Sequence, residues 1–360
     1  MHIKTCHIFQ FRNLNDLTLN FTPKVNVITG ANGAGKTAVL EAIHFLGLGR
    51  SFRVSQLNRI IQHNQTHFHI FCEFQHQSQK HQAGCQRDKS GNSIIKLDHE
   101  KQANQSTLAR FFPVLLLNPE RFHLLSQGAQ QRRALLDWGA FYQKPDFLKH
   151  WQRARQLIKQ RNAALKQQYP YHYMTIIDQA LDESSQIIDQ IRQVYFQQLQ
   201  SQLQTTLDEL ALPIKIDLDY LRGWSNDQSL FEALSQHQTQ DYKKGMTHVG
   251  PHRADLRFRV GQQPAQDILS RGQHKLLVTA LKIAQGKIFQ QQNPETSCLY
   301  LIDDLYSELD QTHLGHVFDI LQQTNNQLIM TAIDSAPLAD FFPKHESCHF
   351  HLENGQLMTR

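Results

Sequence analysis

Three short stretches of this chain carry residue types and spacings that can do chemistry. Residues 30 to 37 read Gly30, Ala31, Asn32, Gly33, Ala34, Gly35, Lys36, Thr37, the pattern G-x-x-x-x-G-K-[ST]. Glycines let backbone N–H groups curl around phosphate oxygens, a helix N-terminus adds its positive end, Lys36 can reach β and γ phosphates, and Thr37 can ligate Mg²⁺. The chemistry implied is the binding of ATP with Mg²⁺. "CLYLIDDLYSELD" (298 to 310) supplies the acids such a loop needs, placed after an apolar run. Asp303 is the expected metal-side group beside Thr37, and Asp304 the expected general base or water-positioning group, so Lys36, Asp303 and Asp304 form the candidate catalytic set. The third stretch, "ILSRGQHKLL" (268 to 277), has Ser270, Gly272 and Gln273 but no acid, thiol or metal ligand, so it is no active site by itself.

The elements that position these residues follow from periodicity. "LTLNF" and "KVNVITG" read as strands and "KTAVLEAIHFLGL" as a helix, so the glycine loop sits at a strand-to-helix turn. Residues 66 to 98 alternate apolar and polar around "KSGNS", which predicts antiparallel strands, and "VLLLNPE" begins as a buried strand. From about residue 126 the texture turns helical. "FLKHWQRARQLIKQRNAALKQQ" and the long run that follows predict two antiparallel helices joined through "YPYHY", a short hairpin rather than a long coiled coil. After "THVGPHRADLRFRV" the α/β texture returns, and "HKLLVTALKIAQGK" predicts a helix opened by the third stretch. The expected organisation is an α/β head built from both chain ends, residues 1–125 and 246–360, interrupted by a mainly helical arm over 126–245.

Composition narrows the class. The 360 residues carry 37 Lys and Arg against 32 Asp and Glu, a balance that permits a nucleic-acid partner without requiring one. Apolar runs such as "FFPVLLL" fall far short of the roughly 20 residues of a membrane helix, and "MHIKTCHIFQF" has no signal-peptide layout, so a cytoplasmic protein with no membrane partner is expected. The five cysteines lie far apart with no C-x-x-C pair, which suggests reduced thiols. His63, His67, His69, His76 and His81 are the densest histidine group, but "HFHIFCEF" alternates like a strand face and favours that reading over a metal site.

The third stretch resembles the signature motif of ABC-type ATPases, whose serine and glycine face the γ phosphate of a nucleotide held by a second subunit. It precedes the "LIDD" strand, and "SELD" (Ser307 to Asp310) resembles the D-loop that crosses the same interface. More than two hundred residues separate Thr37 from Ser270, a layout similar to SMC-type heads, yet no extended coiled coil fills the gap. In order, "ITGANGAGKT", "LGLGRSFR", "LLLNPE", "QRRALLDW", "THVGPHRADL", "ILSRGQHKLL" and "CLYLIDDLYSELD" resemble the RecF family over nearly the whole chain.

That resemblance implies an ATP-sandwiched homodimer, with Ser270, Gly272 and Gln273 meeting the other subunit's nucleotide. It implies a weak, DNA-stimulated ATPase used as a switch. It also implies DNA recognised as duplex near single-strand gaps without base readout, with RecR and RecO as partners in loading RecA and supporting the SOS response. Two features depart from ABC-type ATPases: Asp304 stands where a glutamate is usual, and "QLIMTAID" has no histidine after the next strand. No glutamine fits a Q-loop, and Asn118 to Glu120 occupy the approximate region. Arg50 and Arg53 in "GRSFR" are the candidate DNA contacts, with loop-anchoring salt bridges as the alternative. The arm cations Lys149, Arg153, Arg155, Lys159 and Arg161 read as a solvated face. Arg132, Arg133 and Asp137, and "GPHRADL", suit structural roles. The competing function is an ATPase subunit of a membrane transporter, which the long insertion disfavours. A small-molecule kinase leaves the signature unexplained.

Overall fold

In a computed structural model the chain is described over residues 1–118, 124–126, 128–334, 336–338, 340–342 and 347–358. It divides into two compact units: residues 1–122, 209–212 and 275–360 form one, and 123–208 with 213–274 the other.

The first unit begins with β1 (His2–Phe11), β2 (Leu14–Asn20) and β3 (Val25–Thr29), followed by α1 (Lys36–Leu48). Next come β4 (His67–His76), β5 (Gln79–Asp88), β6 (Ser93–Leu97), β7 (Glu100–Lys101), α2 (Gln105–Phe111) and β8 (Val114–Leu117). The chain then builds the second unit from α3 (Ala129–Gln143), α4 (Phe147–Lys166), α5 (Tyr171–Glu209), β9 (Asp217–Leu221), α6 (Leu230–Gln236), α7 (Gln238–Lys244), β10 (Asp255–Val260), β11 (Gln263–Pro264) and α8 (Ala265–Ile268). Helix α9 (Arg271–Gln292) leads back to β12 (Leu299–Asp303), α10 (Gln311–Gln322), β13 (Gln327–Ala332), β14 (Ser347–Glu353) and β15 (Gln356–Leu357).

Burial decides which strand joins which sheet. β3, β8, β12 and β13 are apolar on both faces and wholly buried, as strands of a covered parallel sheet must be. They lie in the order β15-β14-β3-β13-β12-β8, parallel except for the β14–β15 hairpin. β1, β2 and β4 instead alternate, and form an antiparallel sheet in the order β2-β1-β4-β5-β6-β7. Ten consecutive residues of α1, Ala38 to Gly47, are buried. Phe45 on α1 and Phe11 on β1 each meet Phe68 of β4 edge-on at 5.2 Å. Because the helix is enclosed, its N-terminus and the glycine loop before it are fixed by the core.

The second unit holds the expected hairpin, α4 and α5, with Leu157, Leu181, Ile188, Leu230 and Leu234 in its core. Its small sheet explains why its boundary differs from the one drawn at residue 245. β10 is paired antiparallel with β9, Leu256 against Tyr220 and Phe258 against Leu218, so residues 246–274 belong with the helices rather than with the first unit.

Candidate nucleotide-binding site

Gly30 follows β3 with φ +150°, and a Cβ there would come within 2.3 Å of the Leu352 carbonyl oxygen. Gly35 has φ +108°, and its Cβ would meet Leu14 Cδ2 at 2.8 Å. Gly30 therefore requires glycine on two counts, backbone angle and space, and Gly35 on its backbone angle. The loop is fastened from outside by Asn13 Nδ2, which donates to the Gly33 carbonyl at 2.9 Å, and by the Gly355 N–H, which donates to the Ala34 carbonyl at 2.9 Å.

Lys36 folds back over this loop and donates to the carbonyls of Gly30 (2.7 Å) and Ala31 (3.0 Å). Burial holds its pKa below the ordinary lysine value, while the carboxylates of Asp304 and Asp303 pull it upward. Thr37 Oγ1 donates to Asp303 Oδ1 at 3.0 Å, and Thr331 Oγ1 on β13 donates to the same oxygen at 2.8 Å. Burial raises the Asp303 pKa, against the pull of these two hydrogen bonds. Hydroxyl and carboxylate oxygens in contact are the hard donors Mg²⁺ prefers, so Thr37 and Asp303 fit that ion, which would balance phosphate charge there.

Asp304 closes the strand in left-handed conformation, φ 49° and ψ 38°. Its N–H donates to Thr331 Oγ1 at 3.1 Å and its carbonyl accepts from Ser307 Oγ at 2.8 Å, fixing the backbone at the turn. A cleft of about 840 Å³ opens over these groups. Arg12, Lys36, Arg53, Arg59 and Lys89 line it against Asp303 and Asp304, an excess of cations suited to a polyphosphate.

Of the two candidate DNA contacts, Arg53 lines this cleft, and its charge bears on Asp303. Arg50 does not line it; its carbonyl accepts from His44 Nδ1 at 2.9 Å. Ser51 orders the loop between them, donating to buried Glu41 and accepting from the N–H groups of Arg53 and Val54 at 3.0 Å each. Glu41 also receives Arg12 in a two-point ion pair of 2.9 and 2.7 Å. Sequence reasoning missed Arg12, Asn13, Glu41 and Thr331. Each reaches the site through tertiary packing, and no local pattern marks them. Asn118 lies one residue past the Leu117–Ile302 register pair, so it ends its strand beside the one bearing Asp303. Pro119 and Glu120 lie outside the described residues.

Ser270 and Gln273 belong to the second unit and cap α9 reciprocally. The Gln273 N–H donates to Ser270 Oγ at 3.3 Å and the Ser270 N–H donates to Gln273 Oε1 at 2.8 Å. Gly272 is different. A Cβ there would find nothing nearer than Ser270 Oγ at 4.0 Å, so the chain's own packing gives no reason for glycine. Farther along α9, within the first unit, Lys275 pairs with Glu308 of the "SELD" segment at 2.5 Å. Of the histidine group, His63 lines the cleft, His67, His69 and His76 lie on β4, and His81 on β5 pairs with Asp98 at 2.7 Å. No helix among the described residues is long and apolar enough to cross a membrane.

Comparison with known proteins extends this geometry. Residues 2–346 match the family model described as the RecF/RecN/SMC N terminal domain. The chain is 43% identical over 341 residues to the DNA replication and repair protein RecF of Francisella tularensis subsp. mediasiatica, covering 95% of this chain and 97% of that one. The relative from subsp. novicida is 42% identical over the same length. Among solved structures, the recombination mediator protein RecF bound to ATP superposes with a TM-score of 0.88 at 23% identity, covering 99% of this chain and 97% of that one. An Smc head bound to the C-winged helix domain of ScpA superposes at 0.60 and 14% identity, covering 99% of this chain and 96% of the other.

Proposed function

This chain belongs to the RecF family of DNA replication and repair proteins, and from that premise we propose that it is an ATP-switched DNA-binding protein acting as a homodimer. The observation that carries the nucleotide half of this reading is the convergence of the Thr37 and Thr331 hydroxyls on Asp303 Oδ1, next in the cleft to Lys36. On ATP binding, Lys36 exchanges the carbonyls of Gly30 and Ala31 for phosphate oxygens. Thr37 and Asp303 would hold Mg²⁺ through their hydroxyl and carboxylate oxygens, and the ion would offset phosphate charge. Asp304, held at the strand end by Thr331, orients the attacking water and accepts its proton.

Gly272 supports the dimer. Gly272 stands in the exposed first turn of α9, where glycine is a weaker helix former than Ala. Among the described residues only Ser270 Oγ comes within 4.0 Å of a Cβ built there, so a surface from outside is the reason for its size, and a second subunit's triphosphate fits. Closure around two nucleotides would present one continuous face to duplex DNA near single-strand gaps. RecR and RecO are the expected partners, with RecA loading and SOS induction downstream. Slow turnover suits the shorter carboxylate of Asp304.

The test is the monomer–dimer ratio by sedimentation, with and without Mg-ATP and DNA. Dimerisation driven by ATP and strengthened by DNA is expected; an unchanged monomer at saturating ATP overturns the switch. Ser270→Arg and Lys36→Ala should each be nearly inactive as ATPases, yet complement when mixed, because one composite site is restored. Full turnover and dimerisation by Ser270→Arg alone would reduce the signature to a helix cap. Asp304→Asn should keep ATP binding and slow hydrolysis by about 100-fold or more, leaving a long-lived dimer. Turnover at the parent rate would remove Asp304 from the chemistry.

A further inference from the structure

The tip of the α4–α5 hairpin, in the second unit, departs from the pattern of the rest of that unit's surface. A groove of about 670 Å³ runs between the helices, lined by Ala163, Ala164, Tyr169, Tyr173 and Ile177 with two glutamines. Beside it stand apolar groups that a lone monomer has no use for in water: Tyr173 is 62% exposed and Ile176 is 76% exposed. The groove is preorganised. The Tyr169 N–H donates to the Ala164 carbonyl at 3.1 Å, the Tyr242 hydroxyl donates to the Tyr169 carbonyl, and the Tyr173 N–H donates to the Pro170 carbonyl at 3.1 Å.

Charge around the groove is one-sided. Between Phe147 and Leu181 the exposed ionised side chains are Lys149, Arg153, Arg155, Lys159 and Lys166. The single acid in that span, Asp178, is fully buried and bonded to Arg161. Lys159 and Lys166 lie one helical turn either side of Ala163, so both flank the apolar floor.

We propose that this groove docks an acidic peptide segment of a partner protein, one large apolar side chain seated between α4 and α5 and its carboxylates met by Lys159 and Lys166. An apolar floor with cations only at its rim matches that chemistry. A phosphodiester strand calls for cations along the floor itself, and the lining holds none. The inference uses no part of the nucleotide cleft and stands or falls apart from the ATP switch.

The experiment selects a random peptide pool on the immobilised full-length chain and measures the enriched peptides by fluorescence anisotropy. Enrichment of sequences combining Asp or Glu with Leu, Phe or Trp is expected, with binding that weakens as salt rises. Ala163→Arg fills the groove while keeping a strong helix former, and the double variant Lys159→Glu, Lys166→Glu reverses the rim. Each should weaken the enriched peptides by at least about tenfold, with the helical circular dichroism and the unfolding midpoint of the full-length chain unchanged as the control for folding. No enrichment over a blank surface overturns the proposal. So does enrichment without acidic and apolar bias, or peptide binding that both variants retain. A single-stranded oligonucleotide or an anionic vesicle whose binding alone is lost in the variants would also overturn it, and identify the face as a nucleic-acid or lipid contact.

Discussion

The nucleotide site of the first unit and the helical scaffold of the second hold their charged side chains in opposite ways. In the first, Lys36 is satisfied only by two carbonyls of its own loop, and Asp303 only by two hydroxyls. Those partners are easily exchanged. In the second, Arg161 is fully buried between Asp178 and Asp241, Arg192 meets Asp137 at 2.7 Å, and Arg132 meets Asp255 at 2.8 Å. Burial works against the charge on Arg161, but the two carboxylates outweigh it and raise its pKa. A site that awaits a ligand keeps weak placeholders, whereas the scaffold gives each of these arginines a carboxylate partner.

The comparison breaks most sharply at Arg161. Arg161→Ala leaves buried Asp178 without its counter-ion and Asp241 with only His248, and should destabilise the second unit by about 3–5 kcal/mol. Denaturant unfolding checks this, and ATP affinity of the folded fraction should be unchanged. Lys36→Ala should do the reverse, weakening ATP binding by about 100-fold with little change in stability, since only placeholder bonds are lost. Isothermal titration and a melting curve on the same sample separate the two. Equal stability losses would mean that the units do not differ as described.

The same contrast explains what could be read from the sequence. The glycine loop, Asp303 and Asp304 were legible because backbone chemistry forces their types at fixed spacings beside an apolar strand. The α4–α5 hairpin was legible from helical periodicity. The small β9–β10 sheet was not assigned to the helical unit, because a strand's texture does not say which partner it will find. Arg161 read as one cation among a solvated row. Only the fold shows that it points inward, toward an aspartate 17 residues farther on, in α5, and another in α7. Arg12, Glu41 and Thr331 were missed for the same reason: their partners are remote in sequence.

Thr331 tests whether the placeholders also position. It donates to Asp303 and receives the Asp304 N–H, so Thr331→Val keeps the strand and the volume but leaves both groups less held. Turnover should fall by about tenfold, equivalent to about 1.4 kcal/mol, with ATP affinity nearly intact. A parallel loss of affinity would make Thr331 a ligand-binding group rather than a positioning one.

The smallest effect concerns a group the second unit keeps neutral. His252 is mostly buried, and its Nε2 lies 3.1 Å from the Thr247 carbonyl, which fixes Nε2 as the proton-bearing nitrogen. Burial first, and then the charges of Arg253 and Arg133, lower its pKa to about 4 against the usual 6.5. The unfolded chain therefore takes up a proton at this residue below pH 6.5, while the folded chain does not until about pH 4. Stability at this site is complete above 6.5 and declines as the pH falls through that window. Between pH 6.5 and 5.5 the loss amounts to about 1 kcal/mol. His252→Gln, which can still donate to the Thr247 carbonyl but does not titrate, should flatten that part of the curve by the same amount. An acid limb of unchanged slope in the variant would assign it to other titrating groups.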